Sequence, residues 1–302
     1  MSALGAIALT QGMRNSLNAL SDLDGQIATT NKRLATGKRV NEALDGPLNY
    51  FLAKGFDKNK TDLLNLLDNQ NIALQTLTKT IKTVESISKL VESSQALARQ
   101  ARQSTDAAVR TTLGNQIGTI LRQINELTRD AGFNGRNLLA RVPDTLRIDF
   151  NAQTGVAQTN LTVTGVSLRA EAAGGLNFAV AANGIAYTAG GTPDEPGTFA
   201  VTWGVTAADD AEIDAFLVDA QDGLNYLQSQ ASSFSVNLTI LQVRIDYSKG
   251  WQRNLATASD ALTLADINEE GANLTSLQTR QQLSVNALRL ASQSDQAILR
   301  LF

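Results

Sequence analysis

The sequence predicts a mainly α-helical chain with one small β-rich insertion, and three observations carry that prediction. Its four prolines, Pro47, Pro143, Pro193 and Pro196, leave 48–142 and 197–302 free of a residue that costs about 3 kcal/mol inside a helix. In both stretches apolar residues recur at spacings of three and four, the period of one helix face. Between about 143 and 205 the period shortens to two, as in strands.

Taken in order, Met1 to Thr10 is apolar, but no Lys or Arg precedes Arg14, so a signal peptide's basic segment is missing. The stretch is expected to be the start of a mature helix. Met13, Leu17, Leu20, Ile27 and Leu34 then alternate at spacings of four and three, with Asp24 and Asn31 at the intervening positions. Thr36-Gly37 and Asp45-Gly46-Pro47 break the pattern. It resumes at Leu63, Leu67, Leu74, Leu77, Ile81, Val84 and Val91, and again at Leu113, Ile117, Ile120, Ile124 and Leu127. A helix over 61–102 is roughly 60 Å long at 1.5 Å per residue, which favours long helices wound as a coiled-coil rod.

In the middle zone Leu146, Ile148 and Phe150 alternate with polar residues, as do Leu161 and Val163. Phe178 and Val180 precede Asn183-Gly184, and Ile185 and Tyr187 follow, so a hairpin is expected to turn at Asn183-Gly184. Phe199, Val201, Trp203 and Val205 read as a further strand, and Gly174-Gly175, Gly190-Gly191 and 193–196 as turns. No convergent polar set is expected in this insertion.

Helix then returns. Thr206 and Asp209 make a capping box ahead of Ile213, Phe216 and Leu217. Phe234, Leu238, Leu241 and Ile245 hold heptad spacing; Leu283 and Leu290 lie seven apart with Ala287 between them. Gly250 and Gly271 are either bends or tolerated at about 1 kcal/mol each. The simplest closure runs the C-terminal helices antiparallel to the N-terminal ones, pairs the two terminal helices, and leaves the β element and a small outer region at the far end.

The chain has no histidine and no cysteine. That excludes Ser-His and Cys-His hydrolysis, His- or Cys-ligated zinc, and disulfides. A net charge of −3, dispersed along the chain, has no basic stripe to suit a nucleic acid. No apolar run approaches the roughly 20 residues of a membrane span. Catalysis, a cofactor, a metal, a nucleic-acid partner and membrane insertion are therefore not expected.

The ends invite association. The chain finishes Ala297-Ile298-Leu299-Arg300-Leu301-Phe302, although termini are ordinarily frayed and polar. A lone amphipathic helix is marginal in water, so these ends are expected to order as they pack on another copy. Met13, Leu17, Leu20, Ile27 and Leu34, with Leu283, Ala287, Leu290, Ala297 and Leu299, are the candidate self-assembly residues. A heterologous contact between unlike patches yields a ring or an open helix.

Three motifs carry a family resemblance. Arg33-Leu34-Ala35-Thr36-Gly37-Lys38-Arg39-Val40-Asn41-Glu42-Ala43-Leu44-Asp45 resembles the flagellin N-terminal pattern, with Arg33, Gly37, Asn41 and Asp45 at its defining positions. Gly132 to Leu139 is similar to the turn that closes the family's N-terminal rod helices, through Phe133, Asn134, Gly135, Leu138 and Leu139. Ala265 to Leu274, followed by 278–283, is similar to the C-terminal signature, through Glu270, Gln278 and Gln282.

The resemblance implies a structural, non-enzymatic subunit that self-assembles into the bacterial flagellar filament for swimming. It implies type III export without a cleaved leader, an extracellular location, and an export chaperone, a cap protein and hook-associated proteins as partners. The implied divisions are 1–45, inner coiled-coil helix and spoke loop; 46–142, N-terminal half of the helical rod; 143–205, β-rich insertion; 206–262, C-terminal half of the rod; and 263–302, C-terminal inner helix. Gly46-Pro47-Leu48-Asn49-Tyr50-Phe51 departs from the family pattern, so the spoke loop is expected to pack differently. The alternatives are a hook–filament junction protein and a surface-adhesive flagellin homologue.

Overall fold

A computed structural model describes residues 11–152, 158–171, 176–178, 181–190 and 197–299, with side chains of the last helix described as far as Ser294. The expectations for Met1 to Thr10, Gly174-Gly175, Val180, Gly191, 193–196, the Ala297 and Leu299 side chains and 300–302 lie outside those residues. The described chain contains α1 (Gln11–Thr36), α2 (Pro47–Gln103) and α3 (Ala107–Asp130), then β1 (Thr145–Asp149), β2 (Asn160–Thr164), β3 (Ile185–Thr188) and β4 (Thr198–Val201), and finally α4 (Ala207–Thr263) and α5 (Ile267–Leu299). This is the mainly α chain with a small β insertion that the sequence predicts. It forms two compact units, Met1–Thr61 with Arg253–Phe302, and Asp62–Gln252.

In the first unit α1 packs on α5. The pair is antiparallel: Asp24 accepts from Gln281 at 2.6 Å, and Arg33 meets Glu270 at 3.0 Å. Helix α1 stops at Thr36 because Gly37 takes φ +66, which a side chain disfavours, and its carbonyl accepts from Ala265 N. Helix α2 starts on Pro47, whose missing N–H costs nothing in a first turn.

The second unit contains one buried cluster drawn from α2, α3, α4 and the insertion, including Leu77, Val84, Ile117, Leu121, Phe216 and Leu241. Asp106 caps α3 by accepting from Ala108 N at 2.8 Å. Helix α4 opens on the expected capping box: Thr206 N donates to Asp209 Oδ2 at 2.8 Å, and Asp209 N to Thr206 Oγ1 at 3.3 Å. Gly250 lies inside α4 and Gly271 inside α5, so neither interrupts its helix.

The insertion forms two separate antiparallel pairs. β1 and β2 match Leu146 with Val163 and Ile148 with Leu161. β3 and β4 match Ile185 with Val201 and Tyr187 with Phe199. Trp203, expected in a strand, follows β4; its buried ring packs 5.7 Å from Phe216, and Nε1 donates to Asn183 O at 2.9 Å.

The expected hairpin at Asn183-Gly184 is corrected by this register, because β3 turns back to β4 and the residues before Asn183 form a short 3-10 turn, Ala181–Asn183. Asn183 is fully buried and does not serve as a tip. Its side chain donates to Phe178 O and Asp219 Oδ2, both at 2.9 Å, and accepts from Ile185 N at 3.1 Å. Only Gly184 has positive φ, +67, whereas a two-residue hairpin of the Asn-Gly type needs it at both positions.

Candidate functional site

The first and third sequence motifs, more than two hundred residues apart, meet in one hydrogen-bonded junction in the first unit. Arg39 N and Val40 N both donate to Thr263 O, at 2.7 and 3.2 Å, and Ala265 N donates to Gly37 O at 3.0 Å. Asn41 Nδ2 donates to Lys38 O at 2.9 Å. Asp45 Oδ2 accepts from Asn41 N and Glu42 N, at 2.9 and 3.1 Å, and these amides hold its carboxyl below the ordinary value. Lys32 pairs with Glu42 across the same loop. Ser259 on α4 donates to Asp57 on α2 at 3.2 Å, tying the two helix segments of this unit.

The second motif shapes a turn in the other unit. Asn134 and Gly135 take φ of +49 and +74, while Phe133 and Arg136 exchange backbone hydrogen bonds at 2.8 and 3.0 Å. Lys79 Nζ reaches Gly132 O at 2.6 Å, and Leu138 and Leu139 are buried directly after the turn. Gln278 and Gln282 are exposed on α5 and take no part in the junction.

The α1 face against α5 differs from the expected stripe. Its covered positions are Met13, Ser16, Leu20, Leu23, Ile27, Thr30, Arg33 and Leu34. Leu17, Asp24 and Asn31 are exposed at the flank, although Asp24 still reaches Gln281. On α5 the covered row runs through Glu270, Leu274, Leu277, Gln281, Ser284 and Leu288. Leu283, Ala287 and Leu290 instead form a second, exposed row; Leu283 and Leu290 are 62% and 68% exposed. The overlooked signal was polar: Ser16, Thr30, Gln281 and Ser284 keep the heptad where only apolar residues had been counted.

A cleft of about 820 Å³ runs along this helix pair, lined mainly by polar residues including Asp22, Gln26, Arg33, Glu270 and Arg280. It offers charge and hydrogen bonding, with little apolar wall.

The insertion does contain a convergent polar set, contrary to the sequence expectation. Arg169 Nε pairs with Glu171 Oε1 at 2.6 Å, Asn125 Nδ2 donates to Glu171 Oε2 at 2.7 Å, and Ala170 N donates to Asn125 Oδ1 at 2.8 Å. These groups satisfy one another and pin the insertion to α3, which is a structural role. No His, Cys, Asp and Glu grouping suited to a metal occurs among the described residues, and none of their helices is long and apolar enough to cross a membrane.

Residues 8–143 match the family model described as the bacterial flagellin N-terminal helical region. The chain is 27% identical to flagellin FljM of Caulobacter vibrioides and 24% identical to a flagellin of Brucella melitensis, each over 99% of both chains. It is 23% identical to flagellin C of Rhizobium meliloti over 95% of this chain and 96% of that one. The chain belongs to the flagellin family.

Flagellins are structural proteins, and the matches run through both terminal regions that carry the junction and the α1–α5 pair. The flagellin assignment thus covers the insertion as well as the helices, since these relatives align end to end. Superposition on the crystal structure of Bacillus cereus flagellin gives a TM-score of 0.45 at 14% identity, covering 60% of this chain and 88% of that one, which adds nothing to the assignment.

Proposed function

We propose that this subunit of the bacterial flagellar filament divides assembly between two faces of its terminal helices. The covered face, Met13, Leu20, Ile27 and Leu34 on α1 against Leu274, Leu277 and Leu288 on α5, holds the pair. The outer face, Leu17 with Leu283, Ala287 and Leu290, docks on neighbouring copies. Ala297 and Leu299 extend that contact toward the chain end. The observation that carries the reading is the high exposure of Leu283 and Leu290, two leucines one heptad apart on a helix whose opposite face is already covered.

The chain acts mechanically and has no chemistry of its own. It leaves the cell through the flagellar type III export channel, held beforehand by an export chaperone, and adds to the filament beneath a cap protein, beyond hook-associated proteins. The absence of cysteine suits that passage, because a cross-link would hinder an unfolded chain in transit.

Negative-stain electron microscopy after seeding or salting out tests the reading. Long uniform filaments are expected from the full chain and not from a variant lacking 1–40 and 265–302. A full chain that stays unassembled under nucleating conditions overturns it and favours a junction protein.

A further inference from the structure

Within the second unit, the stretch of α4 from 234 to 251 is apolar on two opposite sides. Phe234, Leu241 and Ile245 face the core and are buried. On the other side Val236, Ile240, Val243, Tyr247 and Trp251 are 57%, 41%, 63%, 66% and 50% exposed. Spacings of four, three, four and four keep these five in one row, about 22 Å long at 1.5 Å per residue. No charge interrupts it. Arg244, Asp246 and Lys249 lie off the row, and the Arg244 guanidinium stacks 5.0 Å from the Phe150 ring centroid.

Single apolar residues on a surface are ordinary, whereas a continuous row with Tyr and Trp at one end marks an interaction surface. Aromatic enrichment and depletion of charge describe the core of a protein–protein interface. A helix apolar on both sides is a helix buried on both sides. The core covers one side of α4, and something outside the chain covers the other.

We infer that this row is a lateral contact surface for a second copy of the chain in the filament. The inference rests on the filament-subunit reading and adds to the terminal helices a contact in the other unit. A filament subunit is flanked permanently by copies of itself, and a charge-free apolar row suits a permanent neighbour. Proteins that meet the subunit in passing leave such a row bare for most of its life. The contact is heterologous, since an open helical polymer requires unlike patches to meet.

The chain has two tryptophans, and they sit in opposite surroundings: Trp203 is 1% exposed and Trp251 is 50% exposed. Acrylamide quenching of the unassembled full chain is expected to show one protected and one accessible population. In seeded filaments the accessible population is expected to vanish. Val243→Glu and Tyr247→Glu are each expected to raise the critical concentration for assembly about tenfold or more, with circular dichroism of the unassembled chain unchanged. Gln242→Glu, an exposed position off the row on the same helix, is expected to assemble as the parent does. Normal assembly of both row variants, or a Trp251 that stays quenchable in parent filaments, overturns the inference and leaves the filament reading intact. Parent protein that forms no filament at all overturns both.

Discussion

Arg33 on α1 and Glu270 on α5 stand 237 positions apart in the chain and form a 3.0 Å ion pair in which the Glu270 side chain is only 10% exposed. Glu270 also lies in the first turn of α5, where a negative charge meets the positive end of the helix dipole. Replacing Arg33 with Ala leaves a nearly buried carboxylate without this partner. The expected loss is about 1–3 kcal/mol. The exposed Lys32–Glu42 pair is expected to contribute about 1 kcal/mol or less. Thermal depolymerisation of filaments, run as a double-mutant cycle for each pair, checks the difference; equal coupling energies contradict it.

Gly114 and Gly118 on α3 make the notch that admits β4. A Cβ at Gly118 lies 2.6 Å from the Phe199 carbonyl oxygen, and one at Gly114 lies 2.7 Å from Val201 Cγ1. Alanine normally favours a helix by about 1 kcal/mol over glycine, but overpacking costs about 1–3 kcal/mol. Both Ala variants are expected to lower the melting temperature. Adding Val201→Ala is expected to recover part of the loss for Gly114→Ala, whose obstacle is a side chain. It is expected to recover nothing for Gly118→Ala, whose obstacle is backbone. Calorimetry of the four proteins decides.

Asn183 holds three elements through one side chain: Phe178 O, Ile185 N and Asp219 on α4. Asn183→Ala removes all three contacts from a fully buried position and is expected to cost about 1–3 kcal/mol. Limited proteolysis is expected to cut the insertion sooner than the helices. A tip residue of a surface hairpin, the role suggested by sequence alone, tolerates the same change.

Acid is expected to weaken the start of α4. The Thr206 hydroxyl, then the Gly204 and Thr206 amides, lower the Asp209 carboxyl from 3.8 to about 2. A carboxyl whose folded value is depressed contributes its stabilisation in full above the unfolded value. That contribution fades as pH falls from about 4 toward 2. Asp209→Asn is expected to melt below the parent at neutral pH, with the gap narrowing through that window. A gap that is constant with pH contradicts the role.

Much of the fold was legible from single residues. Thr206 and Asp209 announced a capping box, Pro47 a helix start and Gly37 a helix end, because each acts within one turn of its own backbone. The alternation at Leu146, Ile148, Leu161 and Val163 likewise located β1 and β2. The Asn183-Gly184 signal misled because Asp219 and Phe178, distant or nonadjacent in the chain, claim the asparagine side chain.

By itself, then, the sequence determined the helical period, the helix ends at Gly37 and Pro47, the strand-forming insertion and the three family motifs. These depend on local torsions and on spacing along the chain. Only tertiary structure decided which heptad row of α1 and α5 is covered and which remains for a neighbour, that Arg33 and Glu270 meet, and that Asn183 is buried. Two apolar rows on one helix look alike in a one-dimensional pattern. The choice between them is made by the partner that packs first, and that partner lies far away in the chain.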